Sequence, residues 1–466
     1  MTRSVSPEVR KANDPYALDP ADVLEPPTTF RERLRYLGPG LLISASVVGS
    51  GELILTTTLG AQAGFALLWM VVLATTVKVW VQLELGTWTI LTGKTAIQGY
   101  AQVGRQWRGA GAITVVWILA EIPSIMKRGA LIGGSAGAGS LLFPITGDSL
   151  SAASLLVWSL LITAVTIAIV MSNRYKVIER FATYSVFVFT VGTVLLALML
   201  PLTQFGYDGT DLVSGLQFAI PAGTIGIAIA MFGITGVGAD EMTAYTVWCI
   251  EKGYARFTGP DDGTPERAER AKGWIKVLKL DVLVSWVITT CCTLGFYIIG
   301  AAVLHPQALV PAGNEVIRTL SRMYVDTLGG WANAVFLVAA FVILFSTVIA
   351  VGAANPRLWT DTIARFEVFD FDDSKVRNRV TRVLSVVIPL LWMIAYLVTQ
   401  SPVLMLQIGG TATAVFLVAV VIAVWKLRTS EIPEEFRSNA FFTVMLGISS
   451  VAITLLGVYT LYSTFA

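Results

Sequence analysis

Apolar residues occur along this chain in long blocks that short polar stretches separate. A helix that crosses a lipid bilayer needs roughly 20 mostly apolar residues, and eleven blocks approach or exceed that length. We therefore predict an all-α integral membrane protein with eleven spanning helices. They lie near residues 36–60, 64–90, 112–142, 152–172, 178–200, 219–249, 279–304, 329–353, 380–399, 402–425 and 439–463.

The basic residues indicate how these helices are oriented. The first 30 residues are polar and contain several prolines, without the apolar core of a signal peptide, so we expect a cytoplasmic tail. With this tail inside, 28 of the 33 Lys and Arg residues lie in cytoplasmic loops and only two lie in outer loops. Since basic loops stay in the cytoplasm, we predict a bacterial inner-membrane protein with its N-terminus inside and its C-terminus outside.

Composition excludes several classes of protein. Of the 466 residues, 55% are hydrophobic and 14% are charged, whereas soluble domains have about 25% charged residues. The net charge of +2 gives no attraction to nucleic acid. The three cysteines, Cys249, Cys291 and Cys292, and the single histidine, His305, lack the spacing of a zinc site or a disulfide framework. We expect no enzyme activity and no cofactor; the expected partners are the lipid bilayer and an ion or small-molecule substrate.

Two predicted helices carry glycines and acids at their centres. The first contains GSGE at 49–52, and the sixth contains GVGADE at 236–241. Interrupted helices survive in a membrane only where they line a protein cavity. Interruptions at matching positions in two five-helix halves indicate a midplane substrate site in a secondary transporter. Close helix packing is the alternative role of such glycines.

Other charges lie inside predicted helices. Lys78 is in the second helix, and Glu121, Lys127 and Arg128 are in the third. Each charge costs about 2.5–3.5 kcal/mol on insertion scales, so we predict a charge network formed by these four residues. Glu121 and Arg128 are seven positions apart and share a helical face. For Asp281 we expect an interfacial position at the start of the seventh helix.

The sequence resembles the natural-resistance-associated macrophage protein (Nramp) family of divalent-metal transporters. The similarity is carried by GPGLLISASVVGSGELILTTTLGAQAGFALLW (38–69), VQLELGTWTILTG (81–93), WILAEIPS (117–124), LIGGSAGAGSLLF (131–143), RYKVIERF (174–181) and the sixth helix. The resemblance implies a leucine-transporter-type fold of two inverted five-helix repeats plus an extra helix. The implied organisation is a tail at 1–35, repeats at 36–200 and 219–425, and an eleventh helix with the C-terminus at 439–466.

The family's metal ligands are replaced in this chain. The first-helix Asp and Asn of the family correspond to Gly49 and Glu52, and the sixth-helix Met corresponds to Val237. Ile234 takes the place of the Ala whose carbonyl faces the metal. Because a thioether selects transition metals over hard ions, its loss predicts altered selectivity.

The family's proton-carrying groups are also replaced. Ala239 and Ala244 stand where the family has histidines, and Arg128 and Leu131 stand where its third helix has an Asp and a Glu. Glu121 is retained. Histidine is the side chain that titrates near neutral pH, so we expect transport without the family's proton coupling.

These features predict an alternating-access carrier for a hard divalent cation such as Mg²⁺ or Mn²⁺, with Glu52 and Asp240 as metal ligands. The predicted substrate-binding residues are Gly49, Ser50, Gly51, Glu52, Ile234, Val237, Gly238, Asp240 and Glu241. A carrier of a small amino-acid-like or sugar-like solute is an alternative, since helix N-termini bind anions. A non-transporting membrane sensor on the same fold is another. The oligomeric state stays open.

Overall fold

The computed structural model describes residues 14–172 and 175–465 as an all-helical chain. The side chain of Ser50 and most of those in 175–186 lie outside the described part, and so does much of the motif at 174–181. The long helices are α1 (Pro39–Ala63), α2 (Leu68–Thr92), α3 (Ala112–Leu142), α4 (Ala152–Met171), α5 (Tyr175–Met199), α6a (Ile225–Ile234), α6b (Ala239–Lys252), α7 (Pro265–Leu304), α8 (Trp331–Arg365), α9 (Ser374–Thr399), α10 (Pro402–Glu431) and α11 (Ala440–Phe465).

All eleven predicted segments are helical in the described part of the chain. Nine of the described helices, with α6a and α6b taken together, are long and apolar enough to cross a membrane. The other two are α3, which carries Glu121, Lys127 and Arg128, and α5, which is only partly described. The all-α membrane architecture is confirmed, whereas eleven crossings stay a prediction.

Two helices are longer than predicted. α7 begins at Pro265 rather than near 279, because the Thr264 hydroxyl accepts a hydrogen bond from the Arg267 N–H and Pro265 occupies the first turn. α8 continues to Arg365 rather than ending near 353. Much of the predicted loop before α7, and much of the one after α8, is therefore helical.

The interior and exterior of the bundle differ in polarity. α3 packs against α8, α9 and α10, and α10 also packs against α6a. By contrast, α4, α9 and α11 expose many large apolar side chains, such as Leu160, Val398 and Leu455. An apolar exterior of this kind suits lipid, so the buried polar groups of α1, α3, α6 and α8 mark the interior where a site can form.

Asp281 is buried within the protein, beside the start of α1, and its interfacial depth in the membrane stays a prediction. Its side chain is fully buried in α7 and accepts hydrogen bonds from the N–H groups of Gly38 (2.9 Å) and Gly40 (2.6 Å) and from the Tyr245 hydroxyl (3.1 Å). The first N–H groups of a helix have no partner within the helix. Asp281 therefore caps the start of α1 from a helix distant in sequence.

Candidate functional site

The centre of α1 is helical, not unwound as the glycines predicted. Residues Val48–Thr56 form a π-helix that continues the α-helix on both sides. The wider turn leaves carbonyls that side chains can reach: the Thr56 hydroxyl lies 2.9 Å from the carbonyl oxygen of Gly51. π-helical turns are rare and occur often at functional sites. A second π-helix among the described residues, Gly300–Leu304, forms the end of α7.

Gly49 and Gly51 allow other helices to approach α1 closely. A Cβ atom added at Gly49 would collide with the side chain of Thr347 in α8. The Thr347 hydroxyl donates to the Ala45 carbonyl of α1 (2.7 Å). A Cβ atom at Gly51 would lie 3.3 Å from the Ile234 carbonyl oxygen. A side chain at position 49 would therefore have to displace Thr347.

The predicted interruption of the sixth helix is confirmed. α6a ends at Ile234 and α6b begins at Ala239, with Gly236 between them at φ 74°. Glycine adopts this left-handed conformation without steric cost. Ile234 and Val237 are buried beside the interruption. The Glu241 carboxylate lies close to Gly238, and a Cβ atom added at Gly238 would collide with it.

Glu52 connects α1 to this interruption. Its Oε1 atom accepts a hydrogen bond from the Gly236 N–H (3.1 Å), and its Oε2 atom lies 3.1 Å from the Thr56 hydroxyl. The Thr56 hydroxyl is also 3.0 Å from that of Thr235. The fully buried carboxylate of Glu52 is thus held by neutral donors.

Lys78 lies at the same interruption and makes no direct ion pair with Glu121 among the described residues, so its place in the charge network stays a prediction. Its ammonium donates to the carbonyl oxygens of Phe232 and Thr235, the latter at 2.6 Å, and lies 4.7 Å from the centre of the Phe232 ring. These carbonyls belong to the C-terminal turn of α6a, which carries a partial negative charge. Lys78 therefore binds the helix end instead of a carboxylate.

The charged side chains of α3 meet the acidic side chains of α6b in one buried cluster. Lys127 Nζ lies 2.8 Å from Asp240 Oδ2 and 3.4 Å from Glu241 Oε1. Arg128 Nη1 and Nη2 contact both carboxylate oxygens of Glu121 at 2.8 and 2.7 Å, and Nη2 lies 3.2 Å from Asp240 Oδ2. The predicted proximity of Glu121 and Arg128 is confirmed: Nη1 and Nη2 form a two-point pair with the carboxylate, while Arg128 Nε has no partner among the described residues.

A small cavity of about 30 Å³ adjoins this cluster, lined by residues of α1, α3, α6b and α8. Its volume suffices for about one or two water-sized occupants. In the described part of the chain, three buried oxygens of its lining residues have no hydrogen-bond partner: Asp240 Oδ1, Glu241 Oε2 and Asn355 Oδ1. Buried polar atoms are almost always satisfied, so these atoms indicate a place for a polar occupant.

The predicted site residues fall into two hydrogen-bonded groups. One group is Glu52, Lys78 and the α6 interruption; the other is Asp240, Glu241 and the α3 charges. Among the described residues there is no group of three or more His, Cys, Asp or Glu side chains that could hold a metal ion. The roles of Glu52 and Asp240 as metal ligands stay a prediction.

Sequence reasoning missed Asn355 of α8. Its side-chain N–H group donates to Glu121 Oε2 (2.9 Å), while its Oδ1 atom has no partner among the described residues. The signal is present in the sequence, because Asn355-Pro356 interrupts an otherwise apolar stretch. Polar residues inside spanning helices are rare and often functional, but the segment had been predicted to end two residues earlier.

Comparison with known proteins places the chain in a family. The family model described as natural resistance-associated macrophage protein-like matches residues 40–463. The chain belongs to the Nramp family. A relative from Pasteurella multocida is 24% identical over 330 residues, covering 70% of this chain and 69% of its own length. The divalent metal cation transporter MntH of Listeria welshimeri is 30% identical over 147 residues, which are 32% of this chain and 30% of MntH.

Solved structures show that this Nramp-family chain has the leucine-transporter-type fold. A mutant of the Eremococcus coleocola manganese transporter superposes with a TM-score of 0.69 at 16% identity, covering 96% of this chain and 91% of that one. A nucleobase-cation-symport-1 family transporter, Mhp1, gives a TM-score of 0.56 at 16% identity, with 96% and 93% of the two chains covered. MhsT in complex with L-phenylalanine gives 0.55 at 17% identity, with 95% and 100% covered.

Proposed function

We propose that this Nramp-family chain is a secondary transporter that moves a hard divalent cation, Mg²⁺ or Mn²⁺, by alternating access. The observation that carries the proposal is the set of buried oxygens beside the cavity that lack a partner among the described residues, Asp240 Oδ1, Glu241 Oε2 and Asn355 Oδ1. They belong to a cluster whose carboxylates outnumber its cations by one. Membership of the family, the name of the MntH relative and that of the Eremococcus coleocola structure support a metal substrate.

The charge excess follows from the ion pairs. Glu121, Asp240 and Glu241 supply three carboxylates, while Lys127 and Arg128 supply two cations. Removing charges from water is costly unless they are compensated. A cation in the adjoining cavity would balance the remaining negative charge and would give partners to the free carboxylate oxygens.

The chemistry of the lining favours hard cations. The polar atoms near the cavity are carboxylate, amide and hydroxyl oxygens together with the α3 cations, and none of its lining residues is Met, Cys or His. Oxygen ligands suit Mg²⁺ and Mn²⁺, whereas sulfur and imidazole favour softer transition metals. The replacement of the family's Met by Val237 is consistent with this preference.

The proposal includes transport without the family's proton pathway. Arg128 and Lys127 hold the α3 positions next to Asp240, and Ala239 and Ala244 of α6b offer no imidazole. An arginine is not deprotonated in proteins. We propose that the cation moves down its own gradient while α1 and α6, with their neighbours, rock against the remaining helices.

A bacterial inner-membrane location with the N-terminus inside belongs to the same proposal, since α1 and α6b then line the cytoplasmic half of the pathway. The proposed structural units are the inverted repeats at 36–200 and 219–425. The asymmetry of Lys and Arg supports this orientation.

A small zwitterionic solute is the second candidate substrate. Lys127 and Arg128 could bind its carboxylate while Asp240 or Glu241 bound its amine. The likeness to MhsT, solved with L-phenylalanine, adds support from the fold.

Thermal unfolding of the purified protein separates the two candidates. We expect Mg²⁺ or Mn²⁺ to raise the melting temperature and EDTA to reverse the effect, because a ligand at 100 times its Kd stabilises by about 2.7 kcal/mol. Asp240→Asn removes the charge excess and should abolish the shift. Glu84→Gln, at a buried ion pair with Arg428 away from the cavity, is the control and should retain it. Stabilisation by amino acids alone, unaffected by EDTA, would establish the second candidate instead.

A further inference from the structure

The end of α6a presents the chemistry of a cation site. Its last turn directs the carbonyl oxygens of Phe232 and Thr235 toward one point in the buried interior. A helix C-terminus carries about half a negative charge. Carbonyls freed by such interruptions coordinate small cations in transporters with broken helices.

An ammonium group of the chain already occupies that point. Lys78 extends from α2, is fully buried, and donates to both carbonyl oxygens. Within the described part of the chain its hydrogen bonds go to these carbonyls and not to a carboxylate. A lysine in lipid surroundings would ordinarily extend to the interface or pair with an acid, so this placement needs a specific explanation.

The linker of the interruption is bound by a charge of the opposite sign. The freed Gly236 N–H, which could bind a substrate anion, donates to the Glu52 carboxylate instead. The end of α6a and the linker that follows it are therefore bound by charged side chains of opposite sign, from α2 and α1.

We propose that Lys78 is a tethered cation: its ammonium occupies a position that would otherwise bind a small monovalent ion such as Na⁺. The carbonyl pair receives its positive charge from the chain itself, so the folded carrier needs no Na⁺ at this position. The site is distinct from the cavity beside Asp240, because Lys78 is not among that cavity's lining residues.

Substitutions that differ in volume test the proposal. Lys78→Ala removes the ammonium and leaves space, whereas Lys78→Met removes the charge but retains most of the side-chain volume. Melting temperatures are measured for the purified full chain in NaCl and in choline chloride at equal ionic strength, because choline is too large to enter. We expect Na⁺ to raise the melting temperature of the Ala variant by at least about 3 °C.

The controls decide the outcome. Wild type and the Met variant should melt at the same temperature in both salts. Na⁺-specific stabilisation of wild type, or an Ala variant without any Na⁺ preference, would overturn the proposal. An Ala variant that cannot be recovered folded in Na⁺ buffer would overturn it too, since Na⁺ is expected to replace the ammonium.

A transport measurement adds a second readout, which rests on the proposed carrier function. Uptake by wild type should be equal in Na⁺ and choline, and uptake by Lys78→Ala should be restored at least several-fold by Na⁺. Absence of uptake in every sample would count against the carrier function alone, because the melting experiment uses Na⁺ and no transport substrate.

Discussion

At the scale of single residues, backbone groups bind several of the buried charges. Asp281 binds the N–H groups that begin α1, Glu52 binds the N–H of Gly236, and Lys78 binds the carbonyls that end α6a. Each side chain thereby satisfies backbone groups that a helix end or interruption leaves free. These charges stabilise particular helix ends in addition to any part they have in transport.

Removing the Asp281 carboxylate should destabilise the fold. Asp281→Ala leaves three buried donors unpaired, from Gly38, Gly40 and Tyr245, and each unsatisfied group costs about 1–3 kcal/mol. We expect a loss of at least about 2 kcal/mol, measured as a lower melting temperature and a lower urea midpoint in detergent. Asp281→Asn retains one acceptor oxygen and should lose less. Equal stability of wild type and the Ala variant would contradict the capping role.

The sequence predicted which charges are buried better than it predicted their partners. Glu121 and Arg128 share a helical face by spacing alone, and their pairing was predictable. The contacts of Asp281 with Gly38 and of Lys78 with Phe232 join residues more than 150 positions apart. Such contacts depend on the packing of whole helices, which no local pattern contains.

At the scale of helices, the two glycine motifs have different structures. GVGADE at 236–241 interrupts α6, with Gly236 in the left-handed region. GSGE at 49–52 lies inside a continuous π-helix. In α1 the hydroxyls of Thr56 and Thr57 lie near the carbonyls of Gly51 and Glu52, and the backbone remains helical. The sequence predicted an interruption in both helices, but α1 remains helical at its glycine motif.

α6a lies so close to α10 that an added methyl group should not be tolerated at their contact. A Cβ atom at Gly233 would collide with the Gly410 carbonyl oxygen. Forcing extra volume into a packed interior costs about 1–3 kcal/mol, so Gly233→Ala should lower the melting temperature. Gly226 lies on the same helix with open space around its Cβ position, and Gly226→Ala should be neutral or slightly stabilising. Equal tolerance of both substitutions would show that α6a is not packed as described.

At the scale of the whole molecule, the chain has the Nramp-family fold, and we propose that its substrate site differs from the family's. The fold was predictable because eleven apolar blocks and the family motifs constrain it along almost the full length. The site was predictable only as a region. Its residues Asp240 and Glu241 pair with Lys127, and the cavity is also lined by Asn355, which lies two residues beyond the predicted end of the eighth helix. Side chains of four helices determine which oxygens stay free, so the donor set follows from tertiary packing.

Flux through the reconstituted protein tests the central claim most directly. Uptake of Mg²⁺ and Mn²⁺ into proteoliposomes is measured with an enclosed metal-sensitive dye, beside a second sample that reports internal pH. We predict saturable uptake by wild type without proton movement, and a loss of at least about tenfold in kcat/KM for Asp240→Asn, equivalent to about 1.4 kcal/mol. Glu84→Gln should transport as wild type does. Absence of uptake of both cations by wild type, or full uptake by Asp240→Asn, would contradict a cation pathway through the cavity beside Asp240.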